Sequence, residues 1–371
     1  MQSFDRQSSS SVTAATQNVA RSTGWADSLR WFCASAVMLA SAVLLFNTLI
    51  DPYGADPLRL HFQRPLMDIN QRFMYPQVLR SGQYDGAVFG TSTIRLLNPS
   101  ELEGAFGGHF ANFGMNAATP FEQSEAVRLY VENTPNLRSL IWSFDRSWCD
   151  PDADTPAKLL TERAFPPWLY DGSRWATIPH LFNLRTLEIA ARVVLNRLGL
   201  MKPRLPRDGY EVFTPAETAY DPARAAAHIW GSGLLRPPNP VAPRYEASAE
   251  ERHAWGFPAL ERIGTVLAGM PTGARVIGLF PPVHIAIQPI PGSFEAAQDE
   301  ECKMRIAAII AEHGGISVDM RFASPITTQD TNYWDALHYR LPIAGRVVDV
   351  LREASASEAG APDFRVLANG S

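Results

Sequence analysis

Near the end of this 371-residue chain stands Asp335-Ala336-Leu337-His338, an acid three residues ahead of an imidazole. In an acid–base pair of this kind the carboxylate fixes the ring's tautomer and stabilises its charged form. Of the eight histidines, only His338 combines a preceding acid at that spacing, a predicted loop and an immediately following helix. A base of this kind activates a hydroxyl that is inert at its own pKa. Ser92, in Gly90-Thr91-Ser92, stands where an apolar strand ends and a helix begins. Such a turn exposes the oxygen and aims backbone N–H groups at one point. Together, Ser92, His338 and Asp335 can do acyl transfer. Bland readings stand beside this one. Ser92 can simply cap the next helix, and Asp-x-x-His often marks only a surface helix start. The segment is not a G-x-S-x-G elbow, because Ile94 occupies the place of the second glycine.

Four segments fall at or near predicted strand ends: Gly90-Thr91-Ser92, Asn112 to Ala117, Phe144-Asp145-Arg146 and Asp335 to Tyr339. Their order and spacing resemble the SGNH superfamily of hydrolases and acyltransferases, over roughly residues 83–145 and 273–352. The similarity is to its membrane-anchored envelope branch, which includes polysaccharide O-acetyltransferases and the D-alanyl transfer protein. The resemblance implies Ser92 as nucleophile and His338 and Asp335 as its partners. It also implies an oxyanion hole from the Ser92 N–H and the N–H of Ala117, or of Gly114 if the turn shifts. Asp145 stands where the family has an asparagine, so Asn116 is an alternative side-chain donor, and Thr91 replaces the usual Asp before the serine. Arg95, three residues after Ser92, is read as a clamp for an anionic group or as a structural ion pair. His284, after Phe280-Pro281-Pro282-Val283, is assigned to the substrate pocket or to loop packing, and Asp145 and Trp334 to substrate contact. Trp148, Trp168, Trp175, Trp230, Trp255 and Trp334 have faces that stack on sugar rings or pack the interior.

These residues need a frame. Strands are predicted through residues 84–90, 110–113, 137–144, 274–280 and 316–320. Helices are predicted over about 68–80, from about 98, and over 120–132, 247–268, 293–313 and 342–354. That alternation predicts an α/β fold with a mostly parallel sheet, whose ligand site lies at the carboxyl ends of its strands. The resemblance sharpens this to a three-layer sandwich. Residues 150–245, rich in Pro and Trp with one predicted helix at about 181–198, are read as an inserted cap within an α/β domain over 51–355. A polar tail follows over 356–371.

Trp31 to Ile50 carries no formal charge over about twenty residues, enough to cross a ~30 Å hydrocarbon core. Arg6, Arg21 and Arg30 precede it, and no Lys or Arg follows until Arg59. That bias predicts an uncleaved anchor at 31–50 that contacts membrane lipid, a cytoplasmic disordered tail at 1–30, and an exported, periplasmic main domain. Export would permit a Cys149–Cys302 disulfide. The net charge of -5 and the absence of a basic run argue against nucleic acid. No zinc, P-loop or dinucleotide motif occurs, so neither metal nor cofactor is expected. The expected function is an esterase or O-acyltransferase acting on envelope polysaccharide, with a membrane protein of an export or acylation system as partner. A non-catalytic glycan-binding or assembly module on the same fold is the other reading.

Overall fold

The computed structural model describes residues 8–55, 63–171, 177–231, 239–357 and 360–367. The chain divides into two compact units, Met1–Leu60 with Ser173–Met201, and His61–Gly172 with Lys202–Ser371. The first is built on α1, Ser8–Ile50. Its stretch Gly24–Ile50 is long and apolar enough to cross a membrane, with a mean hydropathy of 2.0. Residues 8–30, expected as disordered tail, are therefore helical. No Pro or Gly interrupts 8–23, and an existing helix extends at far lower cost than a new one nucleates. Asp51, at φ 45, ends α1 in the left-handed conformation, and Pro52 cannot continue it.

The second unit opens with α2 (Gln71–Met74) and α3 (Pro76–Leu79). The single helix predicted there breaks because Pro76 has no N–H to continue a turn and instead starts a new one. β1 (Gly86–Gly90) runs through a 3₁₀ turn at Ser92–Ile94 into α4 (Pro99–Phe106). β2 (Phe110–Gly114), α5 (Pro120–Asn133) and β3 (Ser139–Ser143) follow. Asn98 and Thr119 cap α4 and α5, each just ahead of a proline. A second 3₁₀ turn, Arg146–Cys149, leads to α6 (Pro167–Tyr170). The helices α7 (Ile178–Leu181) and α8 (Leu184–Arg197) belong to the first unit, where α8 packs on α1. The stretch 150–245 is thus shared between the units. It also holds α9 (Pro222–Trp230), which lies in the second and which the sequence pattern did not reveal.

Two helices, α10 (Ala249–Ala254) and α11 (Leu260–Leu267), replace the one predicted over 247–268, because Gly256 and Pro258 fall between them. The chain closes with β4 (Arg275–Phe280), α12 (Phe294–Glu312), β5 (Ile316–Asp319), α13 (Leu341–Ala356) and β6 (Arg365–Leu367). The sheet runs β2-β1-β3-β4-β5-β6. Its first five strands are parallel, and β6 is antiparallel to β5. The tail expected at 356–371 therefore includes an edge strand, too short to show alternation and seated by the buried Phe364.

Every residue of β1, β2 and β3 is buried, as parallel strands usually are. Gly90 pairs with Gly114, so β1 and β2 end level and their following loops begin side by side. Cys149 and Cys302 form a disulfide between the second 3₁₀ turn and α12, with Cα atoms 5.7 Å apart. Beside it, the buried Lys303 Nζ donates to both carboxylate oxygens of Asp319 and to the Arg321 carbonyl, tying α12 to the end of β5.

Candidate active site

Ser92 follows β1 as the first residue of its 3₁₀ turn and is only partly buried. Its Oγ lies 2.9 Å from His338 Nε2 across 246 residues of sequence. His338 Nδ1 faces Asp335, 2.9 Å from Oδ2 and 3.1 Å from Oδ1. The Asp335 carboxylate also accepts the backbone N–H groups of Leu337 and His338, at 2.8 and 2.9 Å. Burial pushes the Asp335 carboxyl up, but the hydrogen bond and charge of His338 and those backbone donors outweigh it. The net result lies below the ordinary carboxylate range. With Asp335 ionised on Nδ1–H, Nε2 is left as the acceptor for the serine proton.

The loop carrying this pair is braced from behind. The Trp334 backbone N–H donates to the His338 carbonyl at 2.9 Å, and the His284 backbone N–H donates to the Ala336 carbonyl at 2.9 Å. The His284 ring is fully buried, edge-on to Trp230 and Tyr333. Its Nδ1 accepts the Ala286 N–H, and its Nε2 lies 3.2 Å from Asp330 Oδ1. Burial lowers the pKa of this imidazole, against an opposing pull from Asp330. Of the two roles expected for His284, the structure places it in loop packing, because no part of the ring is open to a ligand.

The loop after β2 begins beside the one that carries Ser92. Gly114 is needed there: a Cβ would stand 2.6 Å from Ile94 Cδ1 and 3.0 Å from the Thr91 carbonyl oxygen. Its N–H, however, already donates to Asn112 Oδ1 at 3.0 Å, which removes Gly114 as an oxyanion donor. Met115 N–H is likewise taken by the Gly90 carbonyl. Ala117 is exposed with φ 51, a left-handed conformation better suited to glycine. Neither its N–H nor that of Ser92 has an acceptor among the described residues. The buried Arg72–Glu122 pair anchors this loop. Arg72 Nε donates to Glu122 at 3.0 Å, and Arg72 also donates to the Asn116 carbonyl at 3.1 Å.

Arg95 is not the open clamp that one reading of the sequence assigned to it. It is 4% exposed, donates to Asn116 Oδ1 at 2.9 Å, pairs with Glu211, and lies over the Phe213 ring. Glu211 and Phe213 come from the stretch 202–220, and Phe213 stands edge-on to the His338 ring at 5.2 Å. Further along, Glu217 accepts from Arg340 Nε at 2.8 Å and from Leu341 N–H at 3.1 Å. Tyr220 stands edge-on to Trp334, whose side chain stays partly exposed. Sequence reasoning missed Glu211, Phe213 and Glu217. The one local signal is Gly209, whose φ of 73 sets its turn hard against β2, where a Cβ would lie 1.9 Å from the Asn112 carbonyl oxygen.

Asp145 turns its carboxylate onto its own 3₁₀ turn, accepting from Ser147 N–H at 2.9 Å. It contacts neither Ser92 nor His338 by hydrogen bond, so its charge is engaged in capping. No cluster of side chains suited to a metal ion occurs among the described residues. No protein-family model matches the chain, and no curated protein matches it significantly.

Proposed function

We propose that this protein is a membrane-anchored, SGNH-like esterase or O-acyltransferase that works on envelope polysaccharide by Ser-His-Asp acyl transfer. The observation that carries the reading is the unbroken chain from Ser92 Oγ to His338 Nε2 and from His338 Nδ1 to Asp335. Three groups spread over the sequence meet at hydrogen-bond distance at the carboxyl end of a parallel sheet, where catalytic groups of such folds gather.

The proposed steps use that arrangement. Ser92 Oγ attacks the carbonyl carbon of an acyl ester while its proton passes to His338 Nε2. Asp335 stabilises the imidazolium and stays ionised. The tetrahedral oxyanion is met by the N–H groups of Ser92 and Ala117 and by Asn116 Nδ2. As the intermediate collapses, the C–O bond to the leaving alcohol breaks and His338 returns the proton to that oxygen. His338 then takes a proton from water or from a sugar hydroxyl, whose oxygen attacks the acyl-serine; the C–Oγ bond breaks and His338 returns that proton to Ser92 Oγ. Asn116 stands in for the asparagine that the resemblance would place at 145.

Burial of the central strands on this sheet order fits the three-layer sandwich of that superfamily. A cytoplasmic N-terminus and a periplasmic main domain are favoured by the arginine bias around residues 31–50. They are favoured also by the Cys149–Cys302 disulfide, a bond at home in oxidising compartments. A transferase role would pair the protein with a membrane protein of an export or acylation system that delivers the acyl donor. The test is release of acetate from a chromogenic acetyl ester. Ser92→Ala is expected to bring the rate to background, and equal rates in the two proteins remove Ser92 from the mechanism.

A further inference from the structure

Within the first unit, α8 carries apolar side chains on two opposite faces. Ile189, Ala190 and Val193 are buried, on the side where α8 packs against α1. Leu184, Leu187, Ala191, Leu195 and Leu198 recur at steps of three and four residues and so form a second stripe, about half a turn round from the first. That stripe faces outward: Leu184 is 84% exposed and Leu198 66%. Phe182 and Leu200 extend it at the two ends, 54% and 72% exposed. Arg185, Glu188 and Arg192 run along one flank between the stripes. A helix in water does not gain from a second apolar face; one lying in a lipid boundary does.

The partner is identified by what α8 is fastened to. Asn47, in the last turn of α1, is fully buried and donates to the Leu181 carbonyl at 2.7 Å, just ahead of α8. Thr186 Oγ1 meets the Tyr53 hydroxyl, just past the end of α1. Leu45 and Leu49, near the end of α1, are exposed as well. We infer that the Leu184–Leu198 stripe of α8 is a lipid-binding face, seated among the acyl chains at the boundary of the leaflet in which α1 ends. Arg185 and Arg192 then sit at headgroup depth, where guanidinium groups suit lipid phosphates. This rests on reading α1 as a membrane span and is independent of the chemistry at Ser92.

The test uses the full chain in vesicles of phosphatidylcholine and phosphatidylglycerol. Cys33→Ser is combined with one new cysteine at a time, Leu184→Cys, Leu198→Cys, Glu188→Cys or Met38→Cys, with the Cys149–Cys302 disulfide kept oxidised. Each carries an environment-sensitive fluorophore and is quenched by nitroxide on the lipid chains. Labels at 184 and 198 are expected to be quenched at least half as strongly as the label within the span at 38, and several-fold more than the label at 188. Quenching at 38 but not at 184 and 198 leaves the span standing and overturns the lipid face. Blue-shifted but unquenched labels at 184 and 198 would mean that protein, not lipid, covers the stripe. No quenching at 38 removes the span and the inference together.

Discussion

The side-chain amide of Asn116 has only one way round. Arginine donates and never accepts, so the contact with Arg95 fixes Oδ1 on that side and leaves Nδ2 as the amide's donor end. Asn116→Asp keeps a partner for Arg95 but supplies no donor. It is expected to lower kcat on the order of 10²–10³-fold with KM little changed, the loss typical of one oxyanion donor. Glu211→Gln weakens the hold on Arg95 and should give a smaller fall of the same kind, readable as kcat against KM in ester hydrolysis. His338→Ala removes the base and is expected to cost roughly 10²–10⁴-fold. Some of this was legible in the sequence. Asp335 and His338 are local to one another, and Ser92 closes an apolar strand. The Arg95–Glu211 pair was not, because its members lie 116 residues apart and nothing in either segment marks the other. Gly114 was misread as a free donor, since only the fold shows that Asn112 has already claimed its N–H.

Among the elements, the loop of Asp335 and His338 depends on a buried neutral imidazole behind it. The folded pKa of His284 is depressed, so the unfolded chain binds more protons below the free value of about 6.5. Stability from this group is therefore complete above that value and is lost as pH falls towards the folded pKa. Chemical denaturation followed from pH 7 to 5 should show a destabilisation that His284→Gln flattens; an unchanged slope would contradict this. The Cys149–Cys302 bond closes a loop of 153 residues, and its loss in Cys302→Ser is expected to cost roughly 3–5 kcal/mol in the same assay. Local signals served the elements well wherever apolar runs and caps agreed, as at β1 and α5. They failed at Pro76 and Gly256–Pro258, where breakers split predicted helices, and at β6, whose three residues gain order only by pairing with β5.

Taken whole, the chain joins a helix fit to cross a bilayer to an α/β body with a triad at its sheet end. A reporter fused after Ser371 is expected to be active only outside the cytoplasm; cytoplasmic activity would reverse the proposed orientation. The arginine bias around the apolar run 31–50 was readable in the sequence. The sharing of 150–245 between two units was not, since sequence order says nothing of which body an irregular segment joins. The central claim is that His338 and Asp335 make Ser92 a nucleophile. It is met most directly by exposing the full chain in its membrane to a fluorophosphonate and locating the adduct by peptide mass spectrometry. The expected result is a covalent adduct on Ser92 that disappears in His338→Ala. An unmodified Ser92 in the unaltered protein, or an adduct that forms equally well without His338, would contradict it.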